Sequence, residues 1–238
     1  MYFFFHLFTG TVLGLLIMDI LHDRRWVLPC IAGSILPDLI DKPLGHLLFE
    51  DSIGFGRIFT HTLLAVLVLV VFGLILLEWG KTPVVSGIAA GVISHQVLDL
   101  MWREPKNWLY PRYGQFQGKQ TADFFFVLLN RELENPSEIL LALLLVAGLI
   151  LFVKRASLRH AFLGHRTAWR GLAGASAILL CGCAGFIIHA GLMKHLLPWT
   201  GWTRPEEYLI GGIVLLLCAI LLWRWRRLVP ESDPLVRN

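Results

Sequence analysis

Charge is scarce in this sequence. Only 16% of its 238 residues are Asp, Glu, Lys or Arg, against 56% that are hydrophobic. A soluble domain needs nearer a quarter charged to cover its surface, so a soluble globular fold is excluded. Cysteine is also sparse. The four present, Cys30, Cys181, Cys183 and Cys218, all stand inside apolar runs. That placement excludes a disulfide framework and a zinc knot, and leaves four small hydrophobes expected to be buried. The chain start lacks the basic lead-in and cleavage site of a signal peptide, so residues 1–21 are expected to be kept as a first membrane segment. No internal repeat is present. The net charge is only +4, with the basic residues in short loops between apolar runs, so nucleic acid is not an expected partner.

What the chain does have is apolar runs of membrane-spanning length. Seven segments are expected, at about 2–21, 26–40, 58–78, 83–101, 137–153, 171–193 and 208–223. The fold class is therefore an all-α, polytopic membrane helix bundle. The second segment is short and holds Pro29 and Pro37, as a re-entrant or broken helix packed against protein would. Two regions are expected. Residues 1–136 hold most of the ionisable groups, and residues 137–238 form three further helices with a basic loop and tail. The polar stretch 102–136 is rich in Trp, Tyr, Arg and Lys, as an interfacial segment is. The tail 229–238 reads as disordered, and the small residues of 171–185 suggest close helix contact. Loops after the odd-numbered segments are about twice as dense in Lys and Arg as the others. That places them, with the C-terminus, in the cytoplasm and the N-terminus outside.

Ionisable residues inside membrane segments are costly and default to function. Here they are His6, Asp19, Asp38, Asp41, His61, His95, Asp99 and His189. The expected topology puts His6, Asp38, Asp41, His61, His95 and Asp99 at one depth near the outer face, while Asp19 falls at the inner end of its span. Asp38 and Asp41 are three apart and His95 and Asp99 four apart, so each pair shares a helix face. Three imidazoles and three carboxylates are a ligand set for zinc, iron or manganese, as one ion or as two with a bridging carboxylate. Simpler readings exist for each residue alone. A histidine can be an interhelical contact, Asp38 can cap the Leu-Pro-Asp turn, and His95 can bond Asp99. Arg57 stands beside this group, as an anion contact or an interfacial anchor.

Four blocks resemble the YdjM-like family of inner-membrane proteins, described as membrane-bound metal-dependent hydrolases. His6 opens the first helix. Leu36-Pro37-Asp38-Leu39-Ile40-Asp41 is similar to the family's Leu-Pro-Asp-x-Asp block, with one extra residue between the acids. Arg57-Ile58-Phe59-Thr60-His61-Thr62 is similar to Arg-Gly-x-Thr-His-Ser, with Ile58 in place of glycine. Ser94-His95-Gln96-Val97-Leu98-Asp99 matches Ser-His-x-x-x-Asp, and Trp108-Leu109-Tyr110-Pro111 resembles the aromatic-Pro block that follows. These blocks cover about residues 1–115, and none lies in 137–238. The order of ligands is also similar to that of zinc phospholipase C and related nucleases, although the second His-x-x-x-Glu pair of their three-metal sites is missing here. The resemblance implies a bound divalent metal, zinc before manganese or iron, and hydrolysis.

The expected function is a bacterial inner-membrane hydrolase acting on a lipid or lipid-linked phosphate ester. His6, His61, His95 and Asp99 are then metal ligands. Asp38 and Asp41 share the roles of ligand, bridge and general base, and Arg57 binds the phosphate. The cations Lys42, Arg57, Arg103, Lys106, Arg112 and Lys119 would attract an anionic headgroup. Two other functions use the same residues. A divalent-cation or proton transporter would spread polar groups through the membrane, and a structural metal would only staple helices. The oligomeric state is open.

Overall fold

The computed structural model describes residues 3–50, 52–118, 123–154 and 166–228. Lys119, residues 155–165 of the expected basic loop and the expected tail 229–238 lie outside the described residues. Among the described residues nine α-helices occur in chain order: α1 Phe3–Leu21, α2 Val27–Pro43, α3 Leu63–Trp79, α4 Val84–Leu98, α5 Pro105–Trp108, α6 Phe124–Glu134, α7 Pro136–Val153, α8 Arg166–Leu192 and α9 Pro205–Leu228. No strand is found among the described residues, so the all-α membrane fold holds. Phe3–Leu21, Thr167–Leu192 and Pro205–Arg226 are each long and apolar enough to cross a membrane. Leu63–Trp79 and Val84–Leu98 are apolar but shorter, and α6 with α7 passes as a pair bent by 79°. The seven expected segments fall on α1, α2, α3, α4, α7, α8 and α9.

Two of those segments, and the polar stretch 102–136, differ from expectation in ways that bear on the site. The second is one continuous helix through Pro37, running on to Pro43 and into a π turn over Leu44–Leu48. Pro37 is buried against protein, where a missing amide is tolerated. The third helix begins at Leu63 instead of 58, because the amides of Ile58, Thr60 and His61 are drawn to Asp41. Thr62 then caps it, its hydroxyl accepting from the Ala65 amide at 3.1 Å. The stretch 102–136 contains α6, an amphipathic helix that precedes the sharp bend into α7.

The chain divides into two compact units, 1–141 and 142–238, with the division inside α7. In the first unit α2 packs between α1 and α4, and α3 packs on α4. Glycines permit these contacts. A Cβ at Gly33 would fall 2.2 Å from the Ile88 carbonyl oxygen, and one at Gly91 would fall 2.3 Å from that of Cys30. Helices in lipid gain little from burying apolar side chains against each other, so such backbone proximity is what holds them together. The first turn of α1 is anchored by acids. Phe4 and Phe5 donate their amides to the buried Glu138 at 2.7 and 3.3 Å, and Phe3 donates to Glu132 at 3.0 Å. These carboxylates satisfy amides that no helical carbonyl reaches, and they fix His6 one turn further on.

In the second unit α8 and α9 pack together, with Ile187, Ala190 and Tyr208 as a small core. The Tyr208 hydroxyl accepts from the Leu197 amide at 2.6 Å. All four thiols are free. Cys30 is buried as expected, but Cys181 and Cys183 are exposed on α8. An apolar helix in a bilayer buries only the strip facing its neighbour, so an apolar run there does not imply protein burial.

Candidate metal centre

The two histidines of the centre are oriented from behind. His61 presents Nδ1 to Asp41 Oδ2 at 2.7 Å, and His95 presents Nδ1 to the Ser34 carbonyl oxygen at 2.7 Å. A carbonyl can only accept, so the hydrogen of His95 is on Nδ1; a carboxylate partner assigns the His61 hydrogen in the same way. Each neutral ring is left with a lone pair on Nε2. Those two Nε2 atoms lie 3.1 Å apart, where neither can donate to the other.

Two carboxylate oxygens complete the group. Asp38 Oδ1 is 3.7 Å from each Nε2. Asp99 Oδ2 is 3.5 Å from His61 Nε2 and 3.6 Å from His95 Nε2. Both oxygens are buried, and neither accepts a hydrogen bond among the described residues. All four donor atoms lie within 4.8 Å of one another. A tetrahedral ion with bonds of about 2.0–2.1 Å separates its ligand atoms by about 3.3–3.4 Å. Four converging electron-rich atoms at such spacing repel one another unless a cation sits between them. The donors therefore fit a divalent metal, with Asp38, His61, His95 and Asp99 as the residues able to hold it.

The remaining expected site residues surround this core. His6 Nε2 is 3.1 Å from Asp99 Oδ1, the oxygen turned away from the cluster, and its ring lies 4.2 Å from that of His95. Asp41 has no oxygen to spare. Its carboxylate accepts from the amides of Ile58, Thr60 and His61 and from His61 Nδ1. Asp38 lies inside α2 and is not a cap, and its Oδ2 accepts from Lys42 Nζ at 2.7 Å. Arg57 Nε is 3.2 Å from Asp99 Oδ2, and its Nη1 pairs with Glu104. Burial weighs against charge on Arg57, but the carboxylates of Asp99 and Glu104 outweigh it and raise its pKa. Asp19 and His189 take no part in this group.

Some contributors were not foreseen. Gln96 donates from Nε2 to the carbonyls of Thr60 and Thr62, each at 3.1 Å, and accepts from Trp108 Nε1 at 2.8 Å. It ties α4 to the turn that carries His61. Its place beside His95, inside an apolar run, was the available signal. The Ser34 carbonyl left no signal, because a backbone atom has no residue type. Lys42 stood among the loop cations expected to attract a headgroup, yet its i, i+4 spacing from Asp38 was the sign of an ion pair. His46 lies beyond the end of α2, stacked on Phe124 with ring centres 3.6 Å apart. Burial first and the Lys42 cation second push its pKa below the ordinary histidine value.

Residues 1–190 match the YdjM inner membrane protein family. The chain belongs to that family. The YdjM match runs through α8 and so extends well past the four motif blocks, which lie within about the first 115 residues. No curated protein and no solved structure is significantly similar to the chain.

Proposed function

We propose that this YdjM-family protein is a membrane-embedded, metal-dependent hydrolase acting on a lipid or lipid-linked phosphate ester. The observation that carries the reading is the buried quartet of Asp38, His61, His95 and Asp99, with two carboxylate oxygens that accept no hydrogen bond among the described residues. A divalent ion held there would supply Lewis-acid polarisation of the ester and activation of water at neutral pH. The chain supplies the rest. Asp41 and the Ser34 carbonyl hold the two imidazoles in the tautomer that leaves Nε2 free. His6 and Lys42 take the second oxygens of Asp99 and Asp38, fixing both carboxylates. Arg57, beside Asp99, offers the guanidinium for a phosphate oxygen. In the reaction water adds to phosphorus, the ester P–O bond breaks, and the alcohol leaves with a proton. The sparser Lys and Arg on the loops nearest the quartet support an outer-leaflet site, with the N-terminus outside and the C-terminus cytoplasmic.

A second reading draws on the number of donors. Four protein ligands fill a tetrahedron, as structural zinc sites do, and a metal here would staple α2, α4 and the turn before α3. One experiment separates the two. Metal content is measured by mass spectrometry on the detergent-purified protein and on a His95→Ala, Asp99→Ala double variant, beside hydrolysis of phosphate-ester lipids. The hydrolase reading expects metal and turnover in the native protein and neither in a folded double variant. Metal without turnover on any lipid phosphate leaves the structural staple. No metal in protein never exposed to chelator overturns both.

A further inference from the structure

The metal quartet and its supports leave one feature unused, a cavity of about 290 Å³ between the end of α2, the segment before α3 and the amphipathic α6. Its walls differ in chemistry. Lys42, Arg57 and Arg131 provide cations, Glu104 provides an acid, and Phe124 and Val127 of α6 provide an apolar face. Lys42 is bonded to Asp38, and Arg57 is paired with Asp99, so the cavity begins where the metal quartet ends. Arg131 forms no hydrogen bond or ion pair among the described residues. With a divalent ion balancing Asp38 and Asp99, Lys42, Arg57 and Arg131 outnumber Asp41 and Glu104, and the space is set for an anion.

Size and surroundings narrow the choice. About 290 Å³ is at the small end of ligand sites, enough for a polar headgroup and too little for acyl chains. The other face of α6 exposes Phe126, Leu129 and Leu133, an apolar path leading away from the cavity. We infer that the cavity is the headgroup subsite for an anionic phosphate amphiphile, with Arg131 reading the phosphate and α6 carrying the chains. This deepens the hydrolase reading and rests on it for the ion that balances Asp38 and Asp99 and for the headgroup's orientation toward them.

The test is native mass spectrometry of the full chain in detergent. It is titrated separately with dioctanoyl phosphatidylglycerol, dioctanoyl phosphatidylcholine and inorganic phosphate. Phosphatidylglycerol is expected to bind about tenfold more tightly than phosphatidylcholine. Arg131→Glu is expected to abolish that preference, and Val127→Trp, which fills the cavity, to weaken binding of both lipids. The same spectra report bound metal, which neither variant should lose. Equal affinity for the two lipids, or unchanged binding in both variants, overturns the assignment. Inorganic phosphate binding as tightly as phosphatidylglycerol overturns the amphiphile and leaves a free-phosphate site. Variants that lose the lipid and keep the metal, in a protein that hydrolyses no ester, would uphold the subsite while removing the hydrolase reading.

Discussion

Replacing Asp41 by asparagine separates the work of the two acids that stand three residues apart on α2. The Asp41 carboxylate gathers four N–H donors: three backbone amides of the turn before α3 and the Nδ1–H of His61. Asparagine keeps one acceptor oxygen and turns an NH2 group toward donors that need acceptors. About two charge-assisted hydrogen bonds are lost, each contributing about 1.5–3 kcal/mol, so Asp41→Asn should destabilise the protein by about 3–6 kcal/mol. His61 loses its orienting partner as well, and metal affinity should fall about 10–100-fold. Asp38→Asn should behave differently. Among the described residues Asp38 accepts only from Lys42, and its other oxygen belongs to the quartet, so the variant should lose the metal with a smaller loss of stability. The assay is thermal unfolding of the detergent-solubilised proteins, paired with metal competition against chelators of graded affinity. An Asp41→Asn protein that melts with the native one and holds its metal within about twofold would refute the division of labour.

Three further outcomes follow from the geometry. Metal removal should leave two imidazole lone pairs facing two carboxylates, so a chelated sample should unfold earlier and recover on adding zinc, by about 4 kcal/mol when the free ion reaches a thousand times its Kd. Gly91→Ala forces a Cβ to 2.3 Å from the Cys30 carbonyl; the variant should part α2 from α4 and lose both stability and metal, read by melting and metal content. Gln96→Leu leaves the Thr60 and Thr62 carbonyls and the Trp108 indole without their partner. It should cost about 1–3 kcal/mol for each such group that stays buried and weaken metal binding through His61, with a change in tryptophan emission as the readout.

The class of fold was legible because lipid imposes one rule, and apolar length reveals it. The site was legible for a related reason. His6, Asp38, His61, His95 and Asp99 are too costly in apolar helices to be placed idly, and all five meet in one connected group. What sequence left open was the division between Asp38 and Asp41. Spacing puts both on one helix face, but the roles depend on which carboxylate the turn at Ile58–His61 folds over, and that is tertiary. The amphipathic α6 went unread because its polar surroundings resemble an interfacial loop. The exposed Cys181 and Cys183 show the matching limit. In a bilayer an apolar residue need not be covered by protein.

The short helices of the first unit have a consequence for the bilayer around them. With 17 residues in α3 and 15 in α4, these helices span about 25 and 22 Å at 1.5 Å per residue, against a hydrocarbon thickness of about 30 Å. Thinning of the surrounding lipid is one way a bilayer meets such short helices, and each ångström of mismatch carries a small elastic cost. The quartet lies where α4 ends and α3 begins, so thinning there would draw the ester level of the adjoining leaflet down toward Asp38 and Asp99. Membrane thickness thereby becomes a mechanical input to this protein, and bilayers of shorter-chain lipid should hold it with less strain than thick ones.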